Sequence, residues 1–364
     1  MGQPLNVGLV GAGHISGQYL ETLDRLDDLR LVAVADLDLD RARAVAEPRD
    51  AAGTSVDELL ARDDVDAIIN LTVPTAHADI SLAAIAAGKG VYVEKPLAAT
   101  TTEGRGMLDA ASAAGAVLGA APDTVLGTGI QTARAAVDSG LVGTPVSATA
   151  TMVTPGHERW HPSPDFYYQP GGGPLLDMGP YYVTSLVTLL GPVVSVIGAA
   201  SALRDERVIG KGPRSGERIT VSTPSHVTGA LVHASGAIST LLMSFDATAT
   251  RAANIEVHGT EGTLGVPDPN RFAGPVWLTT APNSPWRELP PSAGYRGAAR
   301  GYGLADLHWS GAFASDPSAG RAQGKLAFHV LETMEAVLES AREGCAVQVV
   351  STVERPSAVP LDER

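Results

Sequence analysis

The sequence predicts two domains in series: an α/β domain with a parallel sheet over residues 1–122, then an α+β domain with a large, mostly antiparallel sheet over 123–364. Three observations predict this. Short β-branched apolar runs alternate with helix-like stretches as far as Ala121-Pro122, a pattern that calls for parallel strands joined by right-handed helical crossovers. A glycine-rich turn joins the first apolar run to the first helical stretch. Beyond it, runs of alternating character follow one another directly, separated by turn residues, as in an antiparallel meander. A chain of 364 residues also exceeds the usual span of one hydrophobic core.

The expected strands of the first domain are Leu5–Val10, Leu31–Ala35, Ala67–Leu71, Val91–Val93 and Val117–Ala120. Each is too short for a helix and apolar almost throughout, like a strand buried on both faces. Between them Ile15–Leu23, Asp40–Glu47, Val56–Ala61, Ala76–Ala87 and Thr102–Ala114 have helical composition and spacing. The second domain opens with a helix over Gly127–Val137, a strand over Val146–Val153 and a helix over Leu176–Leu189. Its meander is Ser225–His233, Ala237–Phe245, Asn254–His258 and Val276–Thr280, punctuated by Ala234-Ser235-Gly236 and Gly259–Gly262. Residues 281–324, rich in Gly, Pro and Ala, read as long surface loops, and Lys325–Glu343 as an amphipathic helix. Met178–Leu203 carries no charge over 26 residues. Pro180, Gly191-Pro192 and several hydroxyl side chains interrupt it, so a buried helix and a strand are expected rather than a membrane span.

Composition narrows the partners. With 26 basic against 40 acidic residues the net charge is −14, which repels phosphate backbones and anionic membranes, so neither nucleic acid nor membrane is expected. Cys345 is the only cysteine; it excludes an internal disulfide and any multi-cysteine zinc site. Its apolar neighbours read as those of a buried structural thiol. Together with Met1–Asn6, which has no basic leader pattern, it points to a reducing, cytoplasmic compartment. No set of His, Asp and Glu has metal-ligand spacing, so no metal is expected.

The glycine-rich turn is Val7-Gly8-Leu9-Val10-Gly11-Ala12-Gly13-His14-Ile15-Ser16-Gly17. Gly11 permits the tight turn and Gly13 lets the backbone approach a pyrophosphate, whose charge meets the N–H groups of the helix start at His14 and Ile15. Asp36 ends the second strand 23 residues beyond Gly13, about where a carboxylate binds the ribose hydroxyls in a Rossmann dinucleotide domain. Its charge repels a 2′-phosphate and Leu37-Asp38 offer no arginine, so NAD is expected over NADP. The competing reading makes Asp36 the N-cap of the helix that follows. Lys95 lies just past the carboxyl end of a parallel strand, the edge where such sheets bind ligands. Beside a cationic nicotinamide, a partly buried lysine gives up its proton more readily.

Trp160, Phe166, Tyr167, Tyr168, Tyr181 and Tyr182 place 6 of the 17 aromatic residues within 23 positions. Aromatic faces stack on the C–H faces of sugars, which makes Trp160 and its polar neighbour His161 substrate candidates; anchoring a loop is the other reading. Gly171–Gly173 is a turn, and Asp177 and Tyr181 are four residues apart in the helix after it, on one face. A carboxylate in that helix's first turn stays ionised and can orient a substrate hydroxyl or Lys95.

The stretch Gly88-Lys89-Gly90-Val91-Tyr92-Val93-Glu94-Lys95-Pro96-Leu97 resembles the Gfo/Idh/MocA family (glucose-fructose oxidoreductase, inositol dehydrogenase, rhizopine catabolism). Further matches are Asn70-Leu71-Thr72-Val73-Pro74 with His77, Gly171-Gly172-Gly173-Pro174-Leu175-Leu176-Asp177-Met178-Gly179, and Leu326–Glu332, so the resemblance runs over nearly the whole chain. It implies that Lys95 contacts both substrate hydroxyl and nicotinamide, that Asp177 is the catalytic aspartate, and that Thr72, Pro74, His77 and Glu94 belong to the cofactor site. Tyr181 stands where most members have histidine, and Thr75 where asparagine is usual. The implied function is hydride transfer between NAD and a secondary hydroxyl of a sugar, cyclitol or glycoside. The alternative is an NAD-dependent glycoside hydrolase working by transient C3 oxidation, elimination and water addition. A non-catalytic NAD sensor is a third class, against which the joint presence of Lys95 and Asp177 argues. The second sheet face left by the antiparallel domain predicts a homodimer or homotetramer.

Overall fold

A computed structural model describes residues 4–362 of the chain. Two compact units result: Met1–Asp123 with Ala298–Phe328, and Thr124–Gly297 with His329–Arg364. The first unit is built on six strands, β1 (Leu5–Val10), β2 (Leu29–Ala35), β3 (Ala52–Thr54), β4 (Ala67–Asn70), β5 (Gly90–Val93) and β6 (Leu118–Ala120), ordered β3-β2-β1-β4-β5-β6. Every neighbouring pair is parallel. Helices α1 (Ser16–Leu23), α2 (Leu39–Ala46), α3 (Val56–Leu60), α4 (Pro74–Ala86) and α5 (Thr101–Ala114) make the crossovers. Val7, Leu9, Val34, Ile69 and Tyr92 are fully buried, which is why these strands read as continuous apolar runs. Local chemistry sets the helix ends: Ser55 with Glu58, and Thr100 with Glu103, form capping boxes at α3 and α5. β3 escapes the sequence reading because Ala-Gly-Thr is three residues long and has no apolar run. The order reverses at β1, flanked by β2 and β4, and the carboxyl ends of those strands form the switch point where open α/β sheets bind ligands.

The second unit holds α6 (Thr128–Asp138), β7 (Pro145–Val153), α7 (Gly173–Leu190) and β8 (Val193–Ser201), then a separate two-stranded ribbon, β9 (Glu206–Val208) with β10 (Arg218–Thr220). Next come β11 (His226–His233), β12 (Ile238–Ser244), β13 (Ile255–Gly259), β14 (Thr263–Val266), β15 (Val276–Thr279) and β16 (Arg287–Leu289). After α8 (Tyr302–Trp309) and α9 (Gly324–Glu343), β17 (Val347–Gln348) completes a nine-stranded sheet ordered β16-β15-β14-β13-β7-β12-β11-β8-β17. Only β7 and β12 pair in parallel there; the other pairs are antiparallel. Burial alternates along β7 and β11, and the buried set (Ala148, Ala150, Met152, Val227, Leu231) lies on one face of the sheet. α7 packs on β7, β11 and β12 and is buried over nearly its whole length, which accounts for the absence of charge after Asp177. Among the described residues, no helix is long and apolar enough to cross a membrane.

Two expectations are corrected. Residues 281–324 are not all surface loop, since α8 lies within them and buries Tyr302, Leu304, Ala305 and Leu307 in the first unit. Asp123, fully buried, accepts hydrogen bonds from the N–H groups of Gly301 (2.8 Å) and Gly303 (3.0 Å) at the start of that helix. Two turns containing a glycine leave too little periodicity to read. Cys345 is exposed: it follows the C-terminus of α9 after Gly344, whose φ of 69° turns the chain there.

Candidate cofactor and substrate site

The switch point of the first unit is shaped by the turn after β1. Gly11 has φ +97°, and a Cβ there would lie 2.8 Å from the Leu71 carbonyl, so only glycine lets the turn pass against the chain leaving β4. Gly13 and His14 are exposed, nothing stands within 4 Å of a Cβ built on Gly13, and no side chain caps α1 behind Ile15. An open helix N-terminus behind a glycine turn suits a pyrophosphate. Asp36 stands beside it at the end of β2. Its carboxylate accepts from the Ala12 N–H (2.8 Å) and the Asp38 N–H (2.9 Å), and Arg41 lies 3.1 Å away. The N-cap of α2 is Asp38, so Asp36 is not that cap. These groups fit the pyrophosphate and adenosine ribose of a dinucleotide. Leu37 and Asp38 give no sign of a cation; Arg41, in the first turn of α2, is brought back over Asp36 by the helix.

Asn70 ends β4, fully buried and fully satisfied. Its Oδ1 accepts from the Thr72 N–H (3.2 Å) and hydroxyl (2.7 Å), and its Nδ2 donates to the His77 carbonyl (3.1 Å) and Ser81 Oγ (3.1 Å). The loop folds over it, and Pro74 opens α4 as a first-turn proline. His77 is buried, with Nδ1 2.7 Å from the Pro96 carbonyl and Nε2 3.0 Å from the Thr72 carbonyl. Burial lowers its pKa, with the two carbonyls opposing. The ring ties the 70–77 loop to the turn carrying Lys95. Glu94 is buried as well: Oε1 accepts from the Tyr19 hydroxyl (2.8 Å) and Oε2 from the Lys95 N–H (2.7 Å). Burial, then Glu94, raises the Tyr19 pKa well above its ordinary value, keeping it a donor. His77 and Glu94 therefore brace the backbone on either side of Lys95, itself half-buried.

The other candidates lie in the second unit. α7 starts at Gly173, so Asp177 falls in its second turn and not its first; the helix dipole, which fades within a turn, does less for it than expected. Tyr181 follows one turn on and is buried. His157, three residues before Trp160 and not among the sequence candidates, places Nδ1 3.3 Å from Asp177 Oδ2. Its ring sits among Trp160 (centroids 5.2 Å apart), Tyr167 (4.7 Å, edge-on) and Phe245 (4.4 Å). Trp160 stays 49% exposed and meets His161 edge-on at 5.4 Å. The fold thus brings Asp177 into one cluster with the neighbouring Trp160 and His161, from which a loop separates it in sequence. Beneath it, Glu158 accepts from the Tyr168 hydroxyl and from Arg207 (3.2 Å); Arg207 also pairs with Asp246, which accepts from the Ser225 hydroxyl (2.7 Å). Arg207, 1% exposed, sits in β9 within an Asp-Glu-Arg run that reads as solvated charge.

Residues 5–121 match the model of a family described as oxidoreductases with an NAD-binding Rossmann fold, and residues 130–265 match the GFO/IDH/MocA C-terminal domain. The chain is 31% identical over 264 residues to 1,5-anhydro-D-fructose reductase of Ensifer adhaerens, covering 71% of this chain and 74% of that protein. It is 29% identical over 258 residues to inositol 2-dehydrogenase of Rhizobium meliloti (strain 1021), with the same shares covered. A solved NAD binding oxidoreductase from Klebsiella pneumoniae shares the fold, with a TM-score of 0.81 at 24% identity over 95% of this chain and 99% of that one.

Proposed function

The chain belongs to the Gfo/Idh/MocA family of oxidoreductases, with an NAD-binding Rossmann domain, and on that premise we propose that it oxidises or reduces a secondary alcohol of a sugar, cyclitol or glycoside. The observation that carries the substrate class is the cluster around Asp177, in which a carboxylate, two imidazoles and a half-exposed indole offer polar groups and a stacking face together. NAD, when bound, accepts or returns the hydride. The turn at Gly11 and Gly13 and the start of α1 hold its pyrophosphate, and Asp36 its adenosine ribose, in preference to NADP. Lys95 takes the proton from the substrate hydroxyl, Asp177 orients that hydroxyl, and Tyr181 is the second candidate for moving the proton. Trp160 and His161 line the sugar.

The relatives' names, a reductase and a dehydrogenase, support net redox chemistry over the hydrolytic alternative. We place the enzyme in the cytoplasm as a homodimer or homotetramer. The exposed apolar residues Ile197, Ile238 and Trp277 on the outer face of the large sheet support the assembly. The test is a panel of myo-inositol, levoglucosan and aryl glycosides with NAD, following NADH and released phenol together. NADH from at least one polyol is expected. Phenol release without NADH, or no NADH from any member, refutes the reading.

A further inference from the structure

We propose that His157 is the positioning residue for Asp177: its ring N–H holds the carboxylate in the orientation the substrate hydroxyl requires. This rests on the role given to Asp177 above.

An ionised carboxylate only accepts hydrogen bonds, so the ring nitrogen facing it, Nδ1 at 3.3 Å, is the one that carries the proton. Nδ1 and the carboxylate are within ion-pair distance but not aligned as a hydrogen bond; the N–H aligns on Asp177 when a substrate packs on the site, as catalytic contacts do on forming the complex. Asp177 needs such a partner because its place in the second turn of α7 leaves little help from the helix dipole.

The imidazole is also held in place. Trp160, Tyr167 and Phe245 surround its faces and edge. Its carbonyl accepts from the N–H groups of Trp160 (3.2 Å) and His161 (2.9 Å). Glu158, the next residue, is fixed through its side chain by Tyr168 and Arg207 and through its carbonyl by the Gly210 N–H (2.8 Å). Gly156 has φ +107°, and a Cβ there would meet the Glu158 carboxylate at 2.1 Å. If packing were the only requirement, phenylalanine would fill this aromatic setting without the desolvation penalty of a polar ring.

The experiment compares four variants, using NADH formation from the most active polyol of the panel. His157→Phe keeps a ring and removes the donor; His157→Asn puts an amide N–H near the Nδ1 position; Asp177→Asn and the double variant H157F/D177N complete a cycle. We expect H157F to lower kcat by roughly 10²-fold, the scale of lost acid–base help. The NAD dissociation constant should stay unchanged, and H157N should recover most of the loss. The double variant should be no slower than D177N alone, as for two residues acting as one unit. Wild-type kcat in H157F, no recovery in H157N, or multiplicative losses in the double variant each overturn the proposal. If H157F does not fold, H157N and H157Q decide, because glutamine reaches the Nε2 position instead. Asparagine must then outperform glutamine, and equal or reversed activity overturns the proposal. Normal turnover in D177N overturns the role of Asp177 and this inference with it, whereas a slow D177N beside a normal H157F overturns this inference alone.

Discussion

Replacing Asp36 by serine should weaken NAD and relax the discrimination against NADP. The carboxylate, with its side chain only 10% exposed, already bonds to the Ala12 and Asp38 N–H groups and pairs with Arg41, which leaves part of its accepting capacity for a ribose hydroxyl. A hydrogen bond to a charged acceptor contributes about 1.5–3 kcal/mol. Its loss weakens NAD by roughly 10- to 100-fold at 1.4 kcal/mol per tenfold. For NADP the sign reverses: the repelling charge leaves, and the Arg41 guanidinium, its side chain 49% exposed, loses the nearer of its two acidic partners while Asp38 stays at 3.7 Å, which makes it more available to a 2′-phosphate. An exposed pair of that kind contributes no more than about 1 kcal/mol, so the gain for NADP rests mainly on the removed repulsion, and D36S/R41A should forfeit only part of it. Dissociation constants for both dinucleotides, from titration of intrinsic fluorescence, test this, with thermal denaturation as a control for the lost Ala12 bond. Wild-type protein that binds NADP as tightly as NAD, or D36S that keeps wild-type NAD affinity, would refute the reasoning.

Lys95→Ala and Asp177→Asn should each lower kcat by at least ~10²-fold while the NAD dissociation constant stays within a few-fold; near-normal turnover in both removes them from the chemistry. Tyr181→Phe should lose as much as Lys95→Ala only if the tyrosine moves the proton. Trp160→Ala should raise KM for the polyol strongly and leave NAD affinity alone, since the indole lies in the cluster around Asp177; equal loss of NAD binding would contradict its placement. Burial lowers the pKa of His77, His233 and His329 below the ordinary 6.5. The unfolded chain thus takes up protons at 6.5 that the folded chain refuses, so their stabilising contribution is complete above pH 6.5 and lost as pH falls from there through the lowered values. The melting temperature should drop across that window, and a flat profile between about pH 7 and pH 5 would argue against it. Sedimentation at micromolar concentration should show a dimer or tetramer, and a monomer alone would contradict the use of the exposed sheet face.

What the sequence by itself determined is what short-range physics encodes. The apolar runs of β1, β2, β4 and β5 must be buried on both faces, Gly11 must turn, and Asp36 must follow the end of β2, because each follows from residues within a few positions of one another. The motif around Lys95 is equally local. Contacts between distant segments were decided by tertiary structure alone. Asp123 meets the start of α8 from 178 residues away, and Arg207 leaves an apparent run of surface charge to sit beneath Tyr168. His157 reaches Asp177 across a loop and a helix start. A buried charge or imidazole shows no periodicity of its own, because it lies where several elements converge to satisfy it. Its residue type is legible in the sequence, and its partner only in the fold.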